Sequence, residues 1–146
     1  MIGHATFPTT LAGNKIIHIT RDPRSWVVSV SRYKEKQNGI VPEKPSEETL
    51  EFIIKNRLKY LFGFIGWKYN ADLVVKFEDI VQKRPKTFEK IIDVAELNCS
   101  IEDISSHVNV ESRTYTGKLS SQLDPELEKL FFKYNGLKLM ELFGYA

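Results

Sequence analysis

The chain has 146 residues, of which 42% are hydrophobic and 27% are charged; this suits one domain at roughly 150 residues per domain. Its net charge of +2 is too small for a general nucleic-acid-binding surface. The single cysteine, Cys99, excludes an intramolecular disulfide and a CxxC metal or redox motif. The longest apolar-like run, Tyr60 to Trp67, is far shorter than the ~20 residues that span a bilayer. No signal peptide opens the chain, which favours a cytoplasmic protein without a membrane segment.

A strand and the helix that follows it at once are the first predicted elements. Lys15–Thr20 (KIIHIT) is a short β-branched run, typical of a buried strand. His18 alternates with isoleucines in this run, which favours a structural histidine. Asp22 and Pro23 then provide an N-cap and a first helical residue. We expect this helix to turn four side chains toward the core: Trp26, Val27, Val30 and Tyr33.

Residues 37–47 are rich in Asn, Gly and Pro, which predicts a surface connection between two helices. Ser46 caps the second helix, whose apolar period continues from Leu50 to Ile65. Asp72–Phe77 (DLVVKF) then reads as a second strand. Its nearly continuous apolar character is typical of a strand within a parallel sheet.

Two further helices follow the second strand. Pro85 opens the third helix, and Pro125 opens the fourth. Asn135 and Gly136 are expected to break the fourth helix before a last segment, Leu137–Phe143. The apolar face of the third helix is formed by Phe88, Ile91, Ile92 and Ala95. The order strand, helix, helix, strand, helix, helix predicts an α/β fold with a parallel sheet flanked by helices.

The number of predicted strands indicates an incomplete sheet. Only two strands are found, whereas a sheet usually has ~5–6. A two-stranded parallel sheet leaves both edges open. We therefore interpret residues 1–146 as a single, partial domain. The missing strands are expected from sequence before Met1 or from another chain, such as a second copy in a homo-oligomer.

The sharpest local chemistry lies at Thr20–Arg24 (TRDPR), where the first strand meets its helix. Ligands of open α/β sheets gather at the carboxyl ends of strands. A helix N-terminus there directs amide groups and partial positive charge at an anion. Arg21 adds a planar fork suited to phosphate, and Ser29 adds a hydroxyl two turns along the helix. In the alternative interpretation, Arg21 pairs with a carboxylate and Ser29 lies on the helix surface.

Three segments follow one another along the chain: Lys15–Lys34, Asp72–Asn98 and Ser112–Phe132. Together they resemble the sulfotransferases that use 3′-phosphoadenosine 5′-phosphosulfate (PAPS). Lys15–Lys34 resembles the segment that holds the 3′-phosphate of this donor. Asp72–Asn98 is similar to the family's strand ending in (Tyr/Phe)-Glu-Asp and the helices after it. Ser112–Phe132 is similar to the family's C-terminal Arg-containing loop and to the helix after it, which begins with a proline. The resemblance covers nearly the whole chain and implies a P-loop-NTPase-like sulfotransferase fold.

The resemblance also implies a metal-free cofactor site for PAPS or its product, 3′-phosphoadenosine 5′-phosphate (PAP). When the family's pattern is carried over position by position, Arg21 and Ser29 are expected to bind the 3′-phosphate. Arg113, Gly117 and Lys118 close over it from the other side, although the family's usual Arg-Lys-Gly is not reproduced in this loop.

Two more residues take roles from the resemblance. His4 precedes the first strand much as the family's catalytic Lys-Thr-His segment does. In that role it accepts the proton of an acceptor hydroxyl as the sulfuryl group moves in line. Phe77 stands where the family often has a tyrosine near the adenine, and strand core is the alternative interpretation of this residue.

The first functional hypothesis is sulfuryl transfer from PAPS to a hydroxyl or amine of a small molecule or glycan. One departure puts it in question: the loop that holds the 5′-phosphosulfate has no counterpart here. Ala12–Lys15 precedes a strand and lacks the GxxxxGK[ST] spacing. The second hypothesis is a non-catalytic nucleotide-binding or interaction module derived from a truncated sulfotransferase. A small kinase is a third interpretation, which the missing P-loop disfavours equally.

Overall fold

A computed structural model of the chain describes residues 13–39, 44–108 and 123–146. Its elements are β1 (Ile17–Thr20), α1 (Pro23–Gln37), α2 (Glu47–Asn56), a 3₁₀-helix (Leu58–Phe64), α3 (Ile65–Asn70), β2 (Leu73–Lys76), α4 (Phe77–Val81), α5 (Pro85–Ala95), α6 (Ile101–Ser106), α7 (Pro125–Lys133) and α8 (Gly136–Phe143). The described residues are mostly helical with a small parallel sheet, which confirms the predicted α/β class at this level.

The chain divides into two compact units. Of the described residues, the first unit comprises 13–21 and 64–108, and the second comprises 22–39, 44–63 and 123–146. The division falls between Arg21 and Asp22, directly after β1. The assignment of residues 1–146 to one domain stays a prediction.

In the first unit, β1 and β2 pair in parallel, so both predicted strands are confirmed in slightly shorter form. Ile17 pairs with Leu73 at one end of the register, and Thr20 pairs with Lys76 at the other. Asp72 anchors the start of this pairing, because its carboxylate accepts from the N–H of Ile16 at 2.8 Å. The carboxyl ends of the two strands therefore lie at the same edge of the sheet.

The strands are less buried than the sequence pattern predicts. Ile19 is 53% exposed and Val74 is 39% exposed, whereas Val75 is 5% exposed. Each strand of this described pair has an open edge, so side chains near that edge keep contact with water. Phe77 corrects the predicted end of the second strand, since it is the first residue of α4 rather than the last of β2.

Helices cover part of the sheet in the first unit. α4 and α5 contact β2, α3 contacts β1, and α6 contacts α5. Phe88 of α5 is 1% exposed, as predicted for its apolar face. It is joined in the core of this unit by Val75 and Val81.

The second unit is built from helices. α1 contacts α2 and α8, and α7 contacts α2 and α8. Their buried apolar side chains are Val27, Val28, Leu50, Ile53, Ile54, Leu58, Leu61, Leu127, Phe131, Leu139, Met140 and Phe143. The apolar period after Ser46 continues as predicted, but α2 ends at Asn56 and a 3₁₀-helix follows. Glycine and aromatic residues dominate that segment, and both are weak α-helix formers.

Helix α1 corrects the predicted inward face. Val27 is fully buried as expected, but Tyr33 is 49% exposed. Three serines are buried instead: Ser25, Ser29 and Ser31. Because α1 packs against two other helices, more than one side of it is covered, and a single apolar stripe does not describe its burial.

Glu35 is a buried carboxylate that joins α1 to the start of α2. It is 5% exposed, and its Oε1 accepts from the backbone N–H of Ser46 at 2.8 Å and from the Ser46 hydroxyl at 2.6 Å. Ser46 is the N-cap of α2, as predicted, and accepts from the N–H of Thr49. Burial by itself raises the pKa of Glu35, but hydrogen bonds from Ser46 and Thr49 outweigh it and lower that pKa below its ordinary value.

We expect acid to weaken the second unit through Glu35. The folded pKa lies below the ordinary 4.5, so the stabilisation is complete above pH 4.5 and is lost as pH falls through the folded pKa. Glu35→Gln keeps the shape without the charge, and should lower the free energy of unfolding at neutral pH by about 1–2 kcal/mol. Urea unfolding from neutral pH down to about pH 3 should show a flatter acid dependence for this variant than for the unmodified chain.

Glu47→Gln is the matched control, because Glu47 is an exposed carboxylate at the start of the same helix. Its acid dependence should equal that of the unmodified chain. An unchanged acid dependence in Glu35→Gln would contradict the role given to the buried carboxylate.

Candidate functional site

The structure describes two of the residues that the sequence assigns to the site. Arg21 directly follows Thr20, the last residue of β1, and belongs to the first unit. Ser29 lies in α1 and belongs to the second unit. The other predicted site residues lie outside the described residues: His4, Arg113, Gly117 and Lys118.

Arg21 lies against an aromatic ring in the first unit. Its guanidinium carbon is 4.6 Å from the centroid of the Phe77 ring. The strand register explains this contact: Thr20 pairs with Lys76, so the residues that follow them leave the sheet side by side. A cation over an aromatic face is attracted by the ring quadrupole. This attraction is distinct from the hydrogen bonds that the five N–H donors of an arginine can make.

A cross-strand hydrogen bond strengthens the same end of the sheet. The hydroxyl of Thr20 donates to the carbonyl oxygen of Val75 at 3.2 Å, and Thr20 is 2% exposed. The strand ends from which Arg21 and Phe77 emerge are therefore tied together in the interior of the unit.

Phe77 is half-buried, and the strand-core interpretation of this residue is wrong because it lies in α4. What its ring contacts is the Arg21 guanidinium. Its place near an adenine stays a prediction from the resemblance.

The N-terminus of α1 holds a carboxylate of the chain itself. Asp22 is the N-cap and Pro23 the first helical residue, as predicted. The Asp22 carboxylate accepts from the backbone N–H of Arg24 at 2.8 Å, from its Nε at 3.1 Å and from its Nη2 at 2.8 Å. The hydrogen bond that the Arg24 guanidinium donates to Asp22 raises the pKa of Arg24. This pair is neutral overall, which limits the repulsion that a lone carboxylate at a helix N-terminus would exert on an anion.

The Asp22–Arg24 pair was not predicted, although the sequence contained its signal. An acidic N-cap followed two residues later by an arginine brings the fork of the guanidinium within reach of the carboxylate.

Ser29 is 8% exposed, so the interpretation that places it on the helix surface is wrong. A residue with so little exposure can contact an anion only if that anion is itself largely removed from water. Desolvation strengthens a charge-assisted hydrogen bond, since the local dielectric constant falls.

His18 is half-buried in β1, which suits its predicted structural role. Burial lowers its pKa, and the positive charge of Lys68 lowers it further. We therefore expect an NMR titration of His18 to give a midpoint below 6.5. Lys68→Met should raise that midpoint, whereas Lys59→Met, at an exposed lysine in the other unit, should leave it unchanged. A midpoint at or above 6.5 would contradict the expectation.

A cavity of about 460 Å³ lies at the far end of α1, within the second unit. Its lining residues are Lys34, Glu35, Asn38, Lys44, Ser46, Glu48, Thr49 and Phe52. Two lysines and two glutamates balance in charge, so the lining selects neither an anion nor a cation. The candidate phosphate site stays at the end of β1.

Metal binding and membrane spanning find no support in the part of the chain that is described. In residues 13–39, 44–108 and 123–146, no three His, Cys, Asp or Glu side chains gather to hold a metal ion. Within the same ranges, no helix has the length and apolar character needed to cross a bilayer.

No protein-family model, curated protein or solved structure matches this chain. The argument for a phosphate site therefore depends on the residues of this chain alone. Arg21 over Phe77, in the first unit, is the part of the site that the structure describes.

Proposed function

We propose that the chain is a sulfotransferase-type domain with a P-loop-NTPase-like fold. It binds PAPS or PAP and directs the sulfuryl group to a hydroxyl or amine acceptor. The observation that carries this proposal is Arg21, seated over Phe77 at the joined carboxyl ends of two parallel strands. Ligands of α/β sheets bind at this edge, and a planar guanidinium there fits a phosphate.

In this proposal, the Arg21 guanidinium binds the 3′-phosphate of the nucleotide. Arg21 presents paired N–H donors to two phosphate oxygens, and the resemblance assigns Ser29 to the same phosphate. The neutral Asp22–Arg24 pair leaves the start of α1 without net negative side-chain charge. By resemblance, Arg113, a loop glycine and Lys118 complete the enclosure.

Sulfuryl transfer requires the chain to hold the donor and to move one proton. The donor supplies an activated sulfuryl group, whose bond to the 5′-phosphate oxygen breaks as a bond to the acceptor oxygen or nitrogen forms. PAP leaves, and the proton of the acceptor passes to a base. His4 takes that role by resemblance, since an imidazole has a pKa suited to proton transfer near neutrality.

A second function is retention of nucleotide binding without transfer. The observation that favours it is in the sequence, where no GxxxxGK[ST] spacing supplies a loop for the 5′-phosphosulfate. Such a module keeps the 3′-phosphate contacts and lacks the stabilisation of the leaving phosphate on which transfer depends.

Calorimetric titration with PAP, and with adenosine 5′-phosphate as control, tests the proposal. We expect PAP to bind at least about tenfold more tightly, since the two ligands differ only in the 3′-phosphate. Equal affinities, or no binding by a sample whose circular dichroism shows it to be folded, would overturn it. Sulfuryl transfer from PAPS to a panel of hydroxyl and amine acceptors then separates the enzyme from the non-catalytic module.

A further inference from the structure

We infer that Phe77 is a positioning residue, which orients the guanidinium of Arg21 toward the 3′-phosphate; this inference rests on the proposed function. The ring contributes no hydrogen bond to the nucleotide in this role. It acts through Arg21, whose guanidinium carbon is 4.6 Å from the ring centroid.

The position of the ring is set by the backbone rather than by the ligand. Thr20 and Lys76 are paired in the sheet, and the Thr20 hydroxyl donates to the carbonyl oxygen of Val75. Phe77 follows Lys76 and begins α4, which contacts β2. The strand ends and the first turn of α4 thus place the ring next to Arg21.

An arginine that binds a phosphate benefits from being oriented in advance. Its long side chain has many rotamers, and a ligand that orders them loses part of its binding free energy in doing so. A ring against the guanidinium reduces the number of rotamers that the arginine populates before the ligand binds. Because the cation–π attraction does not replace hydrogen bonds to the edge of the guanidinium, orientation and phosphate binding are compatible.

A contact between Phe77 and the base would have a different signature. A ring that touches adenine strengthens PAP and adenosine 5′-phosphate alike, since both contain the base. A ring that orients Arg21 strengthens only the ligand with a 3′-phosphate. The ratio of the two affinities therefore distinguishes the two roles.

The experiment compares Phe77→Leu and Phe77→Tyr in the full chain, by calorimetry with both ligands. We expect Phe77→Leu to lower PAP affinity about fivefold to tenfold and to leave the affinity for adenosine 5′-phosphate unchanged. Phe77→Tyr keeps an aromatic face and should bind PAP like the unmodified chain. Phe52→Leu is the matched control, because it removes the contact of Lys34 with a ring in the other unit, 3.2 Å from the ammonium nitrogen to the centroid.

Each outcome decides a separate question. An equal loss for both ligands, or no loss for either, would overturn the positioning role while leaving the proposed function intact. No preference for PAP in the unmodified chain would overturn the proposed function itself. If Phe77→Leu does not fold, NMR of the unmodified chain decides: side-chain protons of Arg21 shifted upfield by the ring current before ligand is added support the inference, and unshifted protons overturn it.

Discussion

Replacing Arg21 by alanine should sharply reduce the preference of the chain for a 3′-phosphate. The variant loses the fork of N–H donors, and hydrogen bonds to a charged group contribute about 1.5–3 kcal/mol. PAP affinity should therefore fall about tenfold to a hundredfold, toward that of adenosine 5′-phosphate. The affinity for adenosine 5′-phosphate should not change. Calorimetry with both ligands measures the effect.

Two further variants show whether charge or geometry matters at Arg21. Arg21→Lys keeps the positive charge but loses the planar fork, so its PAP affinity should be intermediate. Arg57→Ala is the matched control, because Arg57 also lies over a ring, that of Tyr60, at 5.6 Å in the other unit. It should bind PAP normally. A lower melting temperature of Arg21→Ala with unchanged PAP affinity would show that Arg21 is structural only.

Gly136→Ala should destabilise the second unit by about 3 kcal/mol through overpacking. A Cβ at this first residue of α8 would collide with the ring of Phe131, whose side chain is fully buried. The ring has no exposed space into which to move. The expected sign is therefore opposite to the small gain that a Gly→Ala change ordinarily gives in a helix. Urea unfolding measures the loss.

Gly63→Ala provides the control for Gly136, because a Cβ at Gly63 meets no atom within 4 Å. It should leave the free energy of unfolding within about 0.5 kcal/mol of the unmodified value. Combining Gly136→Ala with Phe131→Leu should cost less than the sum of the two single changes, since the smaller side chain makes room for the methyl group. Strict additivity would argue against a direct collision.

Helix starts were predictable because capping depends on residues that are neighbours in the chain. Asp22 and Ser46 each accept a backbone N–H of the helix they cap, as the sequence indicated. Pro125 begins α7, and the break between α7 and α8 falls before Gly136. These are local effects, and no tertiary contact is needed to produce them.

Burial along α1 was not predictable from periodicity. The pattern favoured large side chains and placed Tyr33 inward, yet Tyr33 is 49% exposed while Ser31 is fully buried. Which side of a helix is covered depends on the elements packed against it, and α1 contacts both α2 and α8. The burial of Ser29 follows from the same packing and was missed for the same reason.

The contact of Arg21 with Phe77 could have been predicted from the sequence if the register of the two strands had been known. Both residues follow predicted strands, and parallel strands bring their carboxyl ends to one edge. Pairing of Thr20 with Lys76 then makes the next two residues neighbours. Only the register was missing, and it depends on pairing between segments that are distant in the chain.

A crystal structure of the chain with PAP tests most directly whether Arg21 holds the 3′-phosphate. We expect oxygens of the 3′-phosphate within about 3.2 Å of the Arg21 N–H donors. The guanidinium should remain over the Phe77 ring. A 3′-phosphate bound away from Arg21, for example in the cavity at the far end of α1, would contradict the proposed site.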